Sequence, residues 1–312
     1  MTERHFVIED IDAVLFYGTN NANIRLLRAL FPKLRIVGRD NVVKVMGDEK
    51  DMDAFSVAFE NLQAHGARFN RLAEEDVVNI VRGGRGRGEE SDGAIVYSLS
   101  GKPICPRSEN QRRLVEAFSD SDMIFAVGPA GSGKTYMAIA MAVRALKQRE
   151  TRRIILSRPA VEAGEKLGFL PGDMKEKVDP YLQPLYDALQ EMIPAAKLQE
   201  YMSTNVIQIA PLAFMRGRTL NDAVVILDEA QNTTGAQIKM FLTRMGMNTK
   251  MIVTGDMTQI DLPAAQRSGL VEALHILKDI PGISFVEMSK EDIVRHKLVT
   301  RIVEAYEKEQ RK

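Results

Sequence analysis

"GPAGSGKTYMA", residues 128–138, is the stretch on which the reading of this chain turns. Gly128, Gly133, Lys134 and Thr135 fill a G-x-x-x-x-G-K-[ST] pattern, with Pro129, Ala130, Gly131 and Ser132 between them. The apolar run MIFAV (123–127) precedes it and a helical pattern follows, the strand–loop–helix context that gives such a pattern meaning. Glycines let backbone N–H groups turn inward around phosphate oxygens, and the helix that follows adds its positive N-terminal end. In such a cradle Lys134 is expected to meet the β- and γ-phosphates of ATP, and Thr135 to offer its hydroxyl to Mg²⁺.

Two further stretches belong with it. VVILDEA (224–230) is an apolar strand that ends in two carboxylates. Asp228 is expected to hold Mg²⁺, directly or through water, and Glu229 to polarise an attacking water. MIVTGD (251–256) leads into Met257-Thr258-Gln259, where Gln259 is placed to contact the terminal phosphate or the water. Upstream, Asn110-Gln111-Arg112 precedes the cradle strand, and the Gln111 amide is suited to read one edge of adenine. No guanine-reading N-K-x-D stretch occurs, which favours ATP over GTP. The expected catalytic residues are thus Lys134, Glu229 and Gln259, and the expected metal-binding residues Thr135 and Asp228.

Around these motifs, helical patterns alternate with short apolar runs at 123–127, 154–156, 206–209, 223–227 and 251–254. Such runs suit a parallel sheet covered on both faces, so the fold class expected for 94–312 is α/β. Residues 1–81 read as a separate small α+β domain. Asn20 and Asn21 are expected to cap a short helix that Pro32 stops. LRIVG (34–38) and VVKVMG (42–47) form a hairpin turning at Arg39-Asp40-Asn41, and 48–65 reads as a helix with Met52, Phe55, Phe59 and Leu62 on one face. RGGRGRGEESDG (82–93) contains nothing that builds a core and reads as a linker.

The 312 residues suit one large and one smaller domain, and Lys plus Arg (42) balance Asp plus Glu (42), so any nucleic-acid or membrane binding must come from a local patch. A single cysteine, Cys105, excludes an intrachain disulfide. The N-terminus MTERHFVIEDID lacks the apolar centre of a signal peptide, and no apolar run nears the roughly 18–20 residues of a membrane span, so a cytoplasmic protein is expected.

The four elements together resemble the first RecA-like domain of superfamily 1 helicases, and more closely the PhoH-like family of P-loop ATPases. The stretches that carry the closer resemblance are SRPAVEAGEKLGFLPGDMKEKVDPYLQPLYDAL (157–189), IAPLAFMRGRTLNDAVVILDEAQNTT (209–234), MFLTRMGMNTKMIVTGDMTQIDLP (240–263) and DIVRHKLV (292–299). The resemblance covers about residues 100–308. It implies a RecA-like P-loop NTPase fold, ATP binding, Mg²⁺-dependent hydrolysis and a link to RNA metabolism, with RNA and an rRNA-processing endoribonuclease as partners. Residues 1–81 are similar to a fragment of a KH-type RNA-binding fold, although Gly83-Gly84-Arg85-Gly86, formally a GxxG, lies in the linker.

In helicases of this kind the place of Ser157 and Arg158 contacts a nucleic-acid backbone, and Lys166, Lys175 and Lys177 add positive charge that Glu162, Glu165, Asp173 and Glu176 offset. Helicases also close ATP against a second RecA-like domain that supplies an arginine. About fifty residues follow Gln259, too few for such a domain. The protein is therefore expected to lack that arginine, to borrow it from a neighbouring subunit or to take it from a partner. The economical reading is a homo-oligomer, such as a ring, with Arg216, Arg218 or Arg295 reaching a terminal phosphate in the same chain or the next, while His296 reads as structural. The rival to an RNA-linked ATPase is a nucleotide-dependent switch or assembly factor that acts on a protein partner. A P-loop kinase is disfavoured, since Glu229 and Gln259 suit water activation and no Arg-rich lid is present.

Overall fold

The computed structural model of the protein describes residues 2–9, 11–83, 93–159, 174–263, 265–294, 298–299 and 301–302, with backbone only for 174–180. The chain forms two compact units, residues 1–105 with 189–203, and residues 106–188 with 204–312. Residues 94–105 and 189–203 thus pack with the first unit rather than with the segment that carries the phosphate-cradle motif. No helix among the described residues is long and apolar enough to cross a membrane.

The first unit is built on an antiparallel sheet of β1 (Thr2–Val7), β2 (Arg35–Arg39) and β3 (Val42–Gly47), in the order β1-β3-β2. Pairing of Arg39 with Val42 leaves Asp40-Asn41 as the whole turn, and Asp40 takes a left-handed backbone (φ 53°) that Asp tolerates better than most residues. Strand β1 escapes a reading by hydrophobicity because TERHFV is mostly polar and half exposed.

Helices α1 (Ala13–Tyr17), α2 (Ala22–Leu30), α3 (Glu49–Phe69) and α4 (Glu74–Val81) pack with this sheet. Asn20 and Asn21 do not cap α2 through their side chains; both turn the chain through left-handed backbone instead. The buried Asn23 carries the local bonding, donating to the carbonyls of Phe16 (3.1 Å) and Leu72 (3.0 Å). Helix α3 begins where Asp48 accepts the Asp51 N–H. It runs past residue 65 because Gly66 lies buried inside it and Phe69 still reaches the core, and it ends at Asn70 with φ 48°.

Phe55 is the centre of this core. It is fully buried and meets Phe6 at 5.1 Å and Phe31 at 5.3 Å, ring centre to ring centre. Phe55→Ala removes these contacts and that with Phe59 (6.0 Å) and leaves a cavity, so it should cost about 3–5 kcal/mol in denaturant unfolding. A loss below about 1 kcal/mol would mean that the core collapses to fill the space.

A small hairpin of β4 (Val96–Tyr97) and β5 (Pro103–Ile104) and the helix α8 (Ala195–Ser203) complete the first unit. Asn70 ties these pieces, donating to the carbonyls of Tyr97 (2.6 Å) and Met192 (3.1 Å).

The second unit holds a six-stranded sheet in which every neighbouring pair is parallel. Its strands are β6 (Met123–Val127), β7 (Arg153–Arg158), β8 (Ile207–Pro211), β9 (Ala223–Leu227), β10 (Lys250–Gly255) and β11 (Ile283–Glu287), in the order β11-β6-β10-β9-β7-β8. Five of them were legible as apolar runs. β11 was not, because ISFVE is an edge strand with one buried residue, Val286. Helices α5 (Glu109–Asp120), α6 (Lys134–Lys147), α9 (Gly235–Leu242) and α10 (Gly269–Ile276) pack with the strands, and α7 (Met174–Met192) lies between β7 and α8 in the chain. The parallel register brings the ends of four adjacent strands to one edge: Val127 pairs with Gly255, and Leu227 pairs with Ser157 on one side and Val253 on the other, so β10 runs two residues past β9. Gly128, Asp256 and Asp228, the residues that follow β6, β10 and β9, leave the sheet at this edge, and Arg158 is the last residue of β7, paired with Pro211 of β8.

Candidate nucleotide site

The loop 128–133 follows β6 and opens α6. Gly128 has φ 147°, and a Cβ there would meet the Met288 carbonyl oxygen at 2.5 Å, so a side chain is excluded. Gly133 has φ 83° at the start of α6. The loop curls around the Lys134 ammonium, which donates to the carbonyls of Gly128 (2.7 Å) and Pro129 (2.8 Å) and lies 3.4 Å from the Ser132 hydroxyl. Lys134 is 8% exposed. Burial pushes its pKa below the usual lysine value, and the nearby charges of Asp256, Glu229 and Asp228 oppose that shift.

Asp228 and Glu229 follow β9. The Thr135 hydroxyl donates to Asp228 Oδ1 (2.6 Å), and the Thr254 hydroxyl of β10 donates to the same oxygen (2.7 Å). Glu229 takes a left-handed backbone, φ 53° and ψ 40°, uncommon for a residue with a side chain. The Glu229 carboxylate is held by the Gln231 amide and lies 3.5 Å from the Arg158 guanidinium, which is also 3.9 Å from Asp228. Gln259 is exposed on the loop after β10, and its carbonyl accepts from Gln231 Nε2 (3.1 Å).

These groups surround a cavity of about 240 Å³ lined by Ala130, Gly131, Gly133, Lys134, Thr135, Asp228, Glu229, Asp256 and Gln259, with Tyr136 and Gly255. The donor set fits a phosphate chain carrying a divalent cation. A buried ammonium faces the glycine loop, and a hydroxyl and a carboxylate, both hard oxygen donors, meet at 2.6 Å beside it. No cluster of three or more His, Cys, Asp or Glu suited to a metal occurs among the described residues. A cation here would rest on Thr135, Asp228, phosphate oxygens and water, the pattern suited to Mg²⁺.

Gln111 stands apart from this cavity. It is 4% exposed, and both ends of its amide are engaged: Nε2 donates to the Ser132 carbonyl (2.9 Å), and Oε1 accepts the Arg107 N–H (2.7 Å). In this structure it braces the phosphate loop from behind. Ser157 is fully buried, so it touches no outside partner in this conformation, and Arg158 turns inward to the carboxylates, its Nη1 also donating to the Tyr181 carbonyl (3.1 Å). Arg218 bonds Gln208, and the exposed Arg216 does not line the cavity. Arg295, His296, Lys166, the side chains of Lys175 and Lys177, and most of the Gly/Arg-rich linker lie outside the described residues.

Three contributors were missed in the sequence, Gln231, Thr254 and Asp256, and Arg158 was singled out there only as a place for nucleic-acid contact. Asp256 and Gln231 lie inside the quoted motifs, in TGD and DEAQ, so the signal was present. What it did not give is their joining: the Asp256 N–H donates to Gln231 Oε1 (3.0 Å).

A strand-bound glycine loop, a buried lysine and a threonine–aspartate pair define a phosphate-loop site. The family model for PhoH-like proteins matches residues 103–307. The PhoH-like protein of Mycobacterium tuberculosis (strain H37Rv) is 49% identical over 294 residues, 93% of this chain and 83% of that protein. That of Bacillus subtilis (strain 168) is 46% identical over 303 residues, 96% and 95% of the two chains. Protein PhoH of Escherichia coli (strain K12) is 45% identical over 235 residues, 75% and 66% of the two. This chain belongs to the PhoH-like protein family. Similarity to solved structures is weak. The Pif1 helicase of Candida albicans aligns at 12% identity and TM-score 0.34, over 64% of this chain and 43% of that one. The Sulfolobus solfataricus SWI2/SNF2 ATPase core aligns at 14% and 0.34, over 57% and 42%.

Proposed function

We propose that the protein binds ATP with Mg²⁺ and hydrolyses it, and that the turnover serves RNA metabolism. The observation that carries the first part is the bond from Thr135 to Asp228 beside the buried Lys134 at the mouth of the glycine loop. Loop N–H groups and the Lys134 ammonium bind the phosphates, and Thr135 and Asp228 hold the cation. Bound Mg²⁺ neutralises charge that builds on the phosphate oxygens. Glu229, held by Gln231 and Arg158 at the cavity wall, takes a proton from water at the terminal phosphate, with Gln259 beside it.

The RNA link rests on the family resemblance, as do a KH-like role for the first unit and an endoribonuclease partner. Single-stranded RNA should raise the steady-state rate of ATP hydrolysis by the full chain. A rate that RNA leaves unchanged overturns the RNA coupling and leaves a nucleotide-dependent switch that acts on a protein partner.

Assembly is the last part of the proposal. A transition-state arginine is worth roughly 10³–10⁵ in rate. A homo-oligomer lets a neighbour supply one, beside the Arg158 that this chain already brings to Glu229. Activity per chain should then fall on dilution as the interface dissociates. Specific activity independent of concentration, in a protein monomeric by light scattering, rules the shared site out.

A further inference from the structure

We infer that Asp256 sets the preference of the cradle for a third phosphate, because its carboxylate takes the loop N–H that a terminal phosphate needs. The inference rests on the reading that the cradle takes ATP. Asp256 stands at the end of β10, 4% exposed. Its Oδ2 accepts the N–H of Ala130, within the glycine loop, at 2.9 Å. Its Oδ1 accepts the N–H (2.9 Å) and hydroxyl (2.6 Å) of Thr258. A backbone N–H aimed into a phosphate cradle is thus satisfied by an acid of the protein itself.

The position of that N–H decides which phosphate competes for it. The second half of the loop, Gly133 to Thr135, opens α6, where the Thr135–Asp228 pair lies. Ala130 belongs to the first half, and it shares the cavity wall with Glu229, Asp256 and Gln259. The end of a phosphate chain that lies near Glu229 and Gln259 meets Ala130. A phosphate oxygen and the Asp256 carboxylate are both acceptors of like charge, and one N–H does not serve both. A third phosphate must therefore turn Asp256 away, whereas a diphosphate leaves the Ala130–Asp256 bond in place.

The exchange has a path to the reacting groups. The Asp256 N–H donates to Gln231 Oε1 at 3.0 Å, and Gln231 Nε2 donates both to the Glu229 carboxylate and to the Gln259 carbonyl. Gln231 is fully buried, so it moves only with these partners. The backbone of Asp256 is thus tied through Gln231 to the Glu229 carboxylate and to the backbone of Gln259, and a shift of the 256–258 turn would be felt at both.

The test is calorimetric titration of the full chain with Mg²⁺ and either ADP or the non-hydrolysable β,γ-imido analogue of ATP. Asp256→Asn keeps an acceptor for Thr258 and removes the negative charge. It should bind the triphosphate analogue about tenfold more tightly than the unaltered protein, while ADP affinity changes little. No gain for the analogue, or an equal gain for both nucleotides, overturns the inference. If the unaltered protein binds neither nucleotide, the ATP reading itself fails. Should Asp256→Asn not fold, the Ala130 amide of the unaltered protein, followed by its ¹⁵N resonance, gives the answer. Its signal should shift with the triphosphate analogue and stay close to its nucleotide-free position with ADP; the same response to both overturns the inference.

Discussion

Lys134→Ala abolishes measurable ATP binding while the fold survives. The lysine is the ammonium at the centre of the cradle, bonded to two loop carbonyls and 8% exposed. Removing a charged, hydrogen-bonding partner from a buried site costs roughly 3–5 kcal/mol, which lowers affinity by about 10²–10³-fold or more. Stability should change far less. Folding drives the ammonium against desolvation, which already depresses its pKa, and the two carbonyls it leaves face a cavity open to water. Calorimetry gives the affinity and thermal melting the fold. Unchanged affinity in a folded variant would remove Lys134 from the site.

Glu229→Gln leaves ATP bound and lowers turnover by about 10²-fold or more, the scale of general-base catalysis. The substitution keeps the shape and removes the charge that polarises water. Gln231 and Arg158 hold the carboxylate from two sides, and the amide keeps one acceptor for them. The variant should therefore separate binding from chemistry, with nucleotide affinity near that of the unaltered protein. Turnover close to that of the unaltered protein would move water activation to another group of the cavity, with Gln259 the next candidate.

The phosphate loop was legible because its chemistry is local. Glycines, lysine and threonine act within eight consecutive residues, between a strand and a helix that hydrophobic pattern alone reveals. Asp228 and Glu229 were legible for a similar reason, as carboxylates ending an apolar strand. Arg158, Thr254 and Asp256 were not, because their part in the site depends on strand order. The chain runs β6, β7, β9, β10, but the sheet runs β6-β10-β9-β7. Only that order puts Thr254 against Asp228 and carries Arg158 to Glu229.

Gln111 shows the converse. Its amide was legible as a group that could read adenine, but its burial and its bonds to Ser132 and Arg107 depend on how α5 packs behind the loop, which no spacing gives. In the first unit, α3 outran its expected end because a buried glycine is tolerated where neighbours pack closely: a Cβ on Gly66 would meet Ile11 at 2.0 Å.

Turnover of ATP in this cavity is read from release of inorganic phosphate by the purified full chain. Release should require Mg²⁺, be lost in Lys134→Ala and fall by about 10²-fold or more in Glu229→Gln. Phosphate release that is absent with Mg²⁺ present, or that persists unchanged in both variants, would contradict ATP turnover at this site.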